Sequence, residues 1–471
     1  MTEKGSKLPQ FLAGIAASLS VVAAGAAGAW TSPVLPQLLK DGGPLGSPIS
    51  SEQSSWIGSL ASIGAIFGTS VAGYLADRWG RKRTLLSSLV PFIIGWTLVA
   101  TAHHVAQLYV ARFIFGLNLA ITFTILPMYC CEIAETSIRG ALGSFLALFN
   151  ATGILYSYIV GPFVSYVVLW ILCAILPVIF FVCFMMMPES PYFLLSQGRR
   201  EEAIASLARL RSKSKAAVQK EADEIQVTLD EAFKNQARIS DLFRVKVNLK
   251  ALIYTCSMIS LQQLIGISVV LVYIHNIFIA AGGLVSSEIA PIVVGVVHLL
   301  GSMVTPFVVD RSGRKSLLIF SGIGVLISTC ALGLYFYLKE VQHADDVIEQ
   351  ISWLPMVALI VYIATYSVGW GPIPWALMGE MFASNIKAKG SSITVFFSEG
   401  LSFIMIKFSV NLEEAFNGKY VIFWIFGGFC IIGIFFTVML LPETKGKTLK
   451  QIQDELNGVT STINVENRTK K

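Results

Sequence analysis

Apolar residues run through this chain in long unbroken stretches, and polar positions collect in the short segments between them. A helix needs about 20 mostly apolar residues to cross the hydrocarbon of a bilayer, and stretches of that kind recur from Phe11 to Leu441. They predict spans near 11–34, 54–76, 84–102, 106–131, 141–165 and 167–187, then near 251–281, 286–309, 316–338, 353–381, 390–411 and 420–441. The segment between the two sets is rich in Lys and Arg. It contains amphipathic stretches such as Glu201 to Leu207, which read as short interfacial or cytosolic helices. The expected architecture is an all-α membrane protein of twelve transmembrane helices in two six-helix bundles. A first bundle covers 1–187, a cytoplasmic helical linker 188–250, a second bundle 251–441 and a cytoplasmic tail 442–471. The run from Phe11 to Trp30 has no polar region or cleavage site after it, so it reads as a retained first span rather than a signal peptide.

Composition narrows the class. Hydrophobic residues make up 54% of the chain and charged residues 14%, too apolar a balance for a soluble domain. The net charge of +6 would suit nucleic acid if it formed a patch, but its placement excludes that partner. Apart from Lys40, Lys339 and Lys419 on one side and Arg112 and Lys407 within helices, the Lys and Arg residues all fall on the other side. The positive-inside rule then puts both termini in the cytoplasm, with the plasma membrane as the expected location. Asn467-Arg468-Thr469 is a glycosylation pattern on the wrong side to be used. All seven cysteines lie in expected spans and read as packing residues rather than disulfide partners.

The polar segments repeat. Asp77-Arg78-Trp79-Gly80-Arg81-Lys82 follows the second span, and Asp310-Arg311-Ser312-Gly313-Arg314-Lys315 follows the eighth. Glu132 stands seven residues before Arg139, as Glu380 does before Lys387. Pro188-Glu189-Ser190 closes the sixth span and Pro442-Glu443-Thr444 the twelfth. Such order in register marks two related halves. Paired charges at helix ends suit a gate, because exposed ion pairs of about 0–1 kcal/mol each bias an equilibrium without locking it. Asp77, Arg78, Arg81, Glu132, Arg139 and Glu189 are expected to bridge to Arg311, Arg314, Glu380 and Glu443 when the cytoplasmic side is shut. The plainer alternative is that these charges only set topology and solubility.

With these motifs, and with Gln262-Gln263-Leu264-Ile265-Gly266-Ile267, Gly371-Pro372-Ile373-Pro374-Trp375 and Pro442-Glu443-Thr444-Lys445-Gly446, the chain resembles a sugar porter of the major facilitator superfamily over nearly its whole length. The likeness is strongest to insect facilitated trehalose and glucose transporters. The resemblance implies two pseudo-symmetric bundles, alternating access, a sugar as cargo and no cofactor. It also implies that the repeated charges form the network between the halves, and that Gln262 and Gln263 contact sugar hydroxyls. Three positions depart from the family pattern, where asparagine or an Asn-Trp pair is usual: Ser268, His298 and Ser398-Glu399.

The residues themselves support a polar pocket. Two adjacent amides in the seventh span are costly in lipid unless they face a cavity or a partner. Gly371-Pro372-Ile373-Pro374-Trp375 breaks the backbone ladder of the tenth span, which is tolerated only where the break is buried or lines a cavity. The candidate cargo-binding residues are Asn150, Gln262, Gln263, Ser268, Tyr273, His298, Gly371, Trp375, Ser398, Glu399 and Ser402. Asn118 reads as a packing amide, and buried Arg112 needs an acid or carbonyl of its own half. Glu399 is an intramembrane carboxylate that could bind a hydroxyl, pair with His298 or Lys407, or carry a proton. Against proton coupling, the first span has no acid between Leu8 and Lys40, where the proton-linked porters of the family place an aspartate.

The leading expectation is therefore a facilitative sugar transporter that performs no chemistry. Alternatives are a proton symporter using Glu399, a carrier of another polyol or solute, and a non-transporting sugar sensor. An enzyme is disfavoured because the histidines are scattered without metal-ligand spacing. The expected partners are a sugar and the lipid bilayer. No metal site is expected, and the sequence does not fix an oligomeric state.

Overall fold

The computed structural model describes residues 5–135, 137–234, 238–282, 286–382, 385–445, 447, 451–452 and 455–456; within these, the side chains of 231–234, 310 and 311 are not described. Twelve helical spans are long and apolar enough to cross a membrane. The first six run Leu8–Leu38, Ser51–Trp79, Arg81–Ala100, Val105–Ile133, Arg139–Phe163 and Tyr166–Met185. The second six run Lys246–Ala281, Ala290–Val309, Arg314–Glu340, Leu354–Met381, Lys387–Ala415 and Tyr420–Met439.

Several spans extend beyond the apolar runs, because a helix continues until its end groups find partners. The second span starts at Ser51, where the Ser50 hydroxyl accepts the Gln53 N–H and the Gln53 side chain takes the Ser50 N–H in return. The third starts at Arg81, directly after Gly80, whose φ of +92° turns the chain sharply. Gly313, at φ +85°, makes the same turn in the second half.

Small residues let helices meet at backbone distance, the usual source of packing energy where lipid offers no hydrophobic drive. Gly64 and Gly68 lie against Phe113 and Leu117, and Gly116 lies against the Ala61 carbonyl, so the second and fourth spans are joined closely. Arg112 is buried toward their ends away from the termini, with no acid paired to it among the described residues. Its guanidinium donates to the Ile57 carbonyl at 2.9 Å and the Ala27 carbonyl at 2.8 Å, which ties three helices of one half. Asn118 donates to the Ser88 carbonyl at 3.0 Å, where the third span is interrupted. Cys130, Cys173 and Cys430 are packed inside, whereas Cys131, Cys183 and Cys330 are exposed, so the packing expectation for the cysteines holds for part of the set only.

The linker helices Pro191–Ser196, Arg200–Arg211 and Gln219–Lys234 form a small separate core beneath the first half. Arg211 fixes them there. It is 3% exposed, pairs with Glu221 at 2.6 Å and donates to the Ile133 carbonyl at 2.8 Å. The tail pattern at Asn467 lies outside the described residues.

A Gly116→Ala chain places a methyl on the Ala61 carbonyl and is expected to cost about 1–3 kcal/mol as an overpacked contact. Gly73→Ala in the same helix pair meets nothing within 4 Å. Thermal unfolding in detergent should show a clearly lowered midpoint for the first and an unchanged one for the second.

Candidate functional site

The site is built around two broken helices. The seventh span stops at Leu264 and restarts at Ile267 through Gly266, whose φ of +94° and close contact with the Phe426 ring admit only glycine. The tenth span stops at Val368 and restarts at Ile373. Each break frees backbone groups that lipid cannot satisfy, and the two breaks satisfy one another. The Gln262 Nε2 reaches the Trp370 carbonyl at 2.7 Å, the Gly371 carbonyl at 2.8 Å and the Tyr366 hydroxyl at 3.1 Å. The Tyr362 hydroxyl donates to the Ile265 carbonyl at 3.0 Å, and the Trp370 N–H donates to Ser321 Oγ at 3.1 Å. The Gln262 amide nitrogen is thereby committed to backbone, while its Oε1 is buried with no partner among the described residues.

From Gln263 a chain of hydroxyls runs across the molecule. Gln263 Nε2 donates to Ser398 Oγ at 3.0 Å, and its Oε1 accepts from Ser268 at 2.7 Å. Ser402 donates to Ser268 at 3.1 Å, and Ser62 of the first half donates to Ser402 at 3.1 Å. Glu399 faces Ser62 rather than His298 or Lys407. Buried Lys407 points across the halves instead: it donates to Ser55 Oγ at 2.8 Å, lies 4.0 Å from Glu52 and sits 4.9 Å from the centre of the Trp56 ring. Trp56 in turn contacts Phe403 of the other half at 5.9 Å between rings.

These contacts show which side is closed. Among the described residues the hydrogen bonds that cross the halves are Lys407 to Ser55, Ser62 to Ser402, and Tyr158 to the Leu271 carbonyl at 2.8 Å. All lie toward the side away from the termini. Tyr273 closes there as well, its hydroxyl against Gly58 and without a hydrogen-bond partner.

On the basic side each half closes upon itself. Arg81 pairs with Glu132 at 2.8 Å; Glu132 accepts from Ser190; and Glu189 accepts the N–H groups of Arg81 and Lys82 at 3.1 and 3.0 Å. The second half repeats the square. Arg314 pairs with Glu380 at 2.9 Å, Glu380 accepts from Thr444 at 2.6 Å, and Glu443 accepts the N–H groups of Arg314 and Lys315 at 3.2 and 3.1 Å. Among the described residues Arg81, Glu132, Glu189, Glu380 and Glu443 hold partners of their own half, and no bridge between the halves is seen there on this side. Asp77, Arg78 and Arg139 are exposed, with Arg78 turned to the Tyr74 hydroxyl at 2.6 Å. The Arg311 side chain lies outside the described residues.

A family model described as sugar (and other) transporter matches residues 14–456. The chain belongs to this transporter family. It is 34% identical to the facilitated trehalose transporter Tret1 of Aedes aegypti over 95% of this chain and 55% of that protein. It is also 34% identical to Tret1 of Culex quinquefasciatus, over 95% of this chain and 86% of that one. The chain therefore spans little more than half the length of the Aedes relative. Its structure is similar to that of the proton:xylose symporter XylE bound to 6-bromo-6-deoxy-D-glucose, with a TM-score of 0.75 and 25% identity over 95% of this chain and 99% of that chain.

The remaining candidates are separately placed. Asn150 packs its Oδ1 against Gly25 of the first span and is partly exposed. The His298 Nδ1 is buried without a partner among the described residues, and Trp375 is 37% exposed at the start of the second segment of the tenth span. Sequence reading missed Ser62, Tyr366, the Trp370 carbonyl and the gate around Lys407. The signal for Lys407 was present, since a cation in a span calls for a partner, but its partners are far away in sequence.

Replacing Lys407 by Met removes the charged part of the closure on the side away from the termini. Spin labels at Ser51 and Glu414, on opposite halves, should show a larger population at long distance in Lys407→Met; an unchanged distribution would count against a gating role. The Glu443 carboxyl, raised by burial but lowered more by the N–H groups of Lys445, Lys315, Arg314 and Thr444, ends below its ordinary range. A lowered carboxyl adds stability above its unfolded value of about 4.3 and loses it as pH falls through the folded value. Glu443→Gln should therefore melt earlier than wild type at pH about 7, and the difference should start to shrink below pH about 4 and disappear as the pH falls through the lower folded value.

Proposed function

We propose that this transporter carries a sugar, trehalose or a hexose such as glucose, down its gradient by alternating access, without chemistry on the cargo. The observation that carries the reading is the pair of broken helices held together by Gln262, with its carbonyl oxygen left free. A sugar arrives with hydroxyls stripped of water and needs acceptors and donors of this kind beside an apolar face. In this reading Gln262, Asn150, His298, Gly371, Glu399 and Trp375 face the sugar, with the Trp375 ring under its apolar side. Gln263, Ser268, Tyr273, Ser398 and Ser402 hold the outer door.

In this reading the chain lies in the plasma membrane, and the charge asymmetry supports both termini in the cytoplasm. The door away from the termini is closed, so the state faces inward. When the inner side shuts, Asp77, Arg78 and Arg139 meet the second half's charges, and the self-contained squares of each half rearrange. Rocking of one half on the other is the movement expected of this class of carrier.

Uniport is favoured because Arg112 is satisfied by the Ile57 and Ala27 carbonyls and leaves no acid in the first span to be protonated. A second reading, proton-coupled transport, is favoured by one observation: Glu399 lies beside Ser62 in the contact between halves, where gaining or losing a proton would be felt by the gate.

Labelled glucose and trehalose uptake into proteoliposomes, with and without a pH gradient, tests these readings. Equilibration of at least one sugar without accumulation is expected. No flux of either would overturn sugar transport, and accumulation driven by the proton gradient would select the second reading. Trp375→Ala should raise the half-saturating sugar concentration roughly tenfold, the loss of about 1.4 kcal/mol of contact.

A further inference from the structure

A second cavity of about 540 Å³ lies on the basic side of the first half, remote from the transport path. It opens between the start of the third span, the end of the sixth and the linker helix Arg200–Arg211. Its volume falls in the range of small-ligand sites. The back wall is cationic: Lys82, Arg83, Arg199 and Arg209 line it. Two carboxylates are also present, and both are already engaged. Glu189 accepts the N–H groups of Arg81, Lys82 and Ser190, and Glu202 is bound to Arg199 by two hydrogen bonds at 2.7 and 2.5 Å.

Lys82, Arg83 and Arg209 are therefore three cations gathered at one cleft with no ion-pair partner among the described residues. Glu189 stands close enough to attract Lys82, and Arg209 and Arg83 are each close enough to repel it. The repeated motif of the second half does not leave this arrangement. There the Lys315 ammonium, the counterpart of Lys82, is tied to the Val438 carbonyl at 2.7 Å.

The lip of the cavity is of the opposite character. Trp79, 45% exposed, and Met185, 52% exposed, stand at the ends of the second and sixth spans, at the level where aromatic residues meet the membrane interface. A ligand that fits both parts has an anionic head for the back wall and an apolar chain for the lip.

We propose that this cavity binds the headgroup of an anionic phospholipid, its phosphate held by Lys82, Arg83 and Arg209 and its acyl chains lying along Trp79 and Met185. The bilayer supplies such a ligand at the cleft's own depth, and basic pockets beside helix ends recognise phosphorylated headgroups in this manner.

The test uses the full chain in phosphatidylcholine nanodiscs, with bound lipid counted by native mass spectrometry as phosphatidylserine or phosphatidylinositol bisphosphate is added. Retention of at least one anionic lipid is expected, and the Arg83→Gln/Arg209→Gln double variant should weaken it about tenfold or more. Both arginines are exposed, so the variant should fold; an unchanged melting profile checks this. An Arg244→Gln/Lys246→Gln variant, which removes two charges from the same side outside the cavity, should change it less than twofold. Equal losses in the two variants would reduce the effect to general surface charge and overturn the site. Soluble inositol trisphosphate binding as tightly as the lipid would overturn the membrane source, and Trp79→Ala should weaken the lipid while leaving that soluble headgroup unaffected.

Discussion

The rest of the structure depends on how two interrupted helices satisfy their backbone within a membrane. Breaking a helix there strands carbonyls and N–H groups that no water reaches. The seventh and tenth spans meet this constraint jointly, through the Gln262 amide on the Trp370 and Gly371 carbonyls and the Tyr362 hydroxyl on the Ile265 carbonyl. Gly266 and Gly369 permit the approach, since side chains there would strike Phe426 and Ser321. Because each break is the other's partner, neither can shift alone, and the short segments that follow them form a coupled pair. Tyr273 and Trp375 stand on those segments, so in the proposed transport cycle a movement of one is linked to a movement of the other through Gln262.

The two sides of the membrane use different bonds for different ends. At the side away from the termini, hydroxyls and one buried ammonium join the halves directly. At the basic side, a carboxylate caps the first N–H groups of a helix in each half, and an arginine and a second carboxylate complete a square. Capping of this kind is strong because it joins a full charge to the N–H groups at a helix start. Each half is thereby rigid at its base whether or not the other half is near. The halves can then move as bodies, which a loose base would not allow.

The repeated motifs and the apolar runs made the twelve spans and their division into two related sets legible, since both are local in sequence. Part of the polar set was legible as a group: Gln263, Ser268, Ser398 and Ser402 do meet in one hydrogen-bond network. Roles were less so. The sequence places Gln262 in a polar site but does not show that its nitrogen is spent on backbone. It places Arg81 and Glu132 in a gate but does not show that they pair within one half. Both outcomes depend on distances between helices far apart in the chain, and on which side is closed, neither of which periodicity or spacing encodes. Lys407 is the clearest instance, with its partner Ser55 some 350 positions away.

The chain of serines between the halves has one further property. A hydroxyl gives one proton and receives two, and the row from Ser62 through Ser402 and Ser268 runs in one sense, because it ends on the Gln263 Oε1, which only accepts. Cut at Ser62, it leaves alcohols that can turn to a carbonyl of their own helix four residues back, as Ser59 already does toward Ser55. An interface zipped by amides or by ion pairs would strand a donor or a charge each time it parted. The serine row parts into two surfaces that are each complete, a seam that runs beside the one charged contact, Lys407 to Ser55.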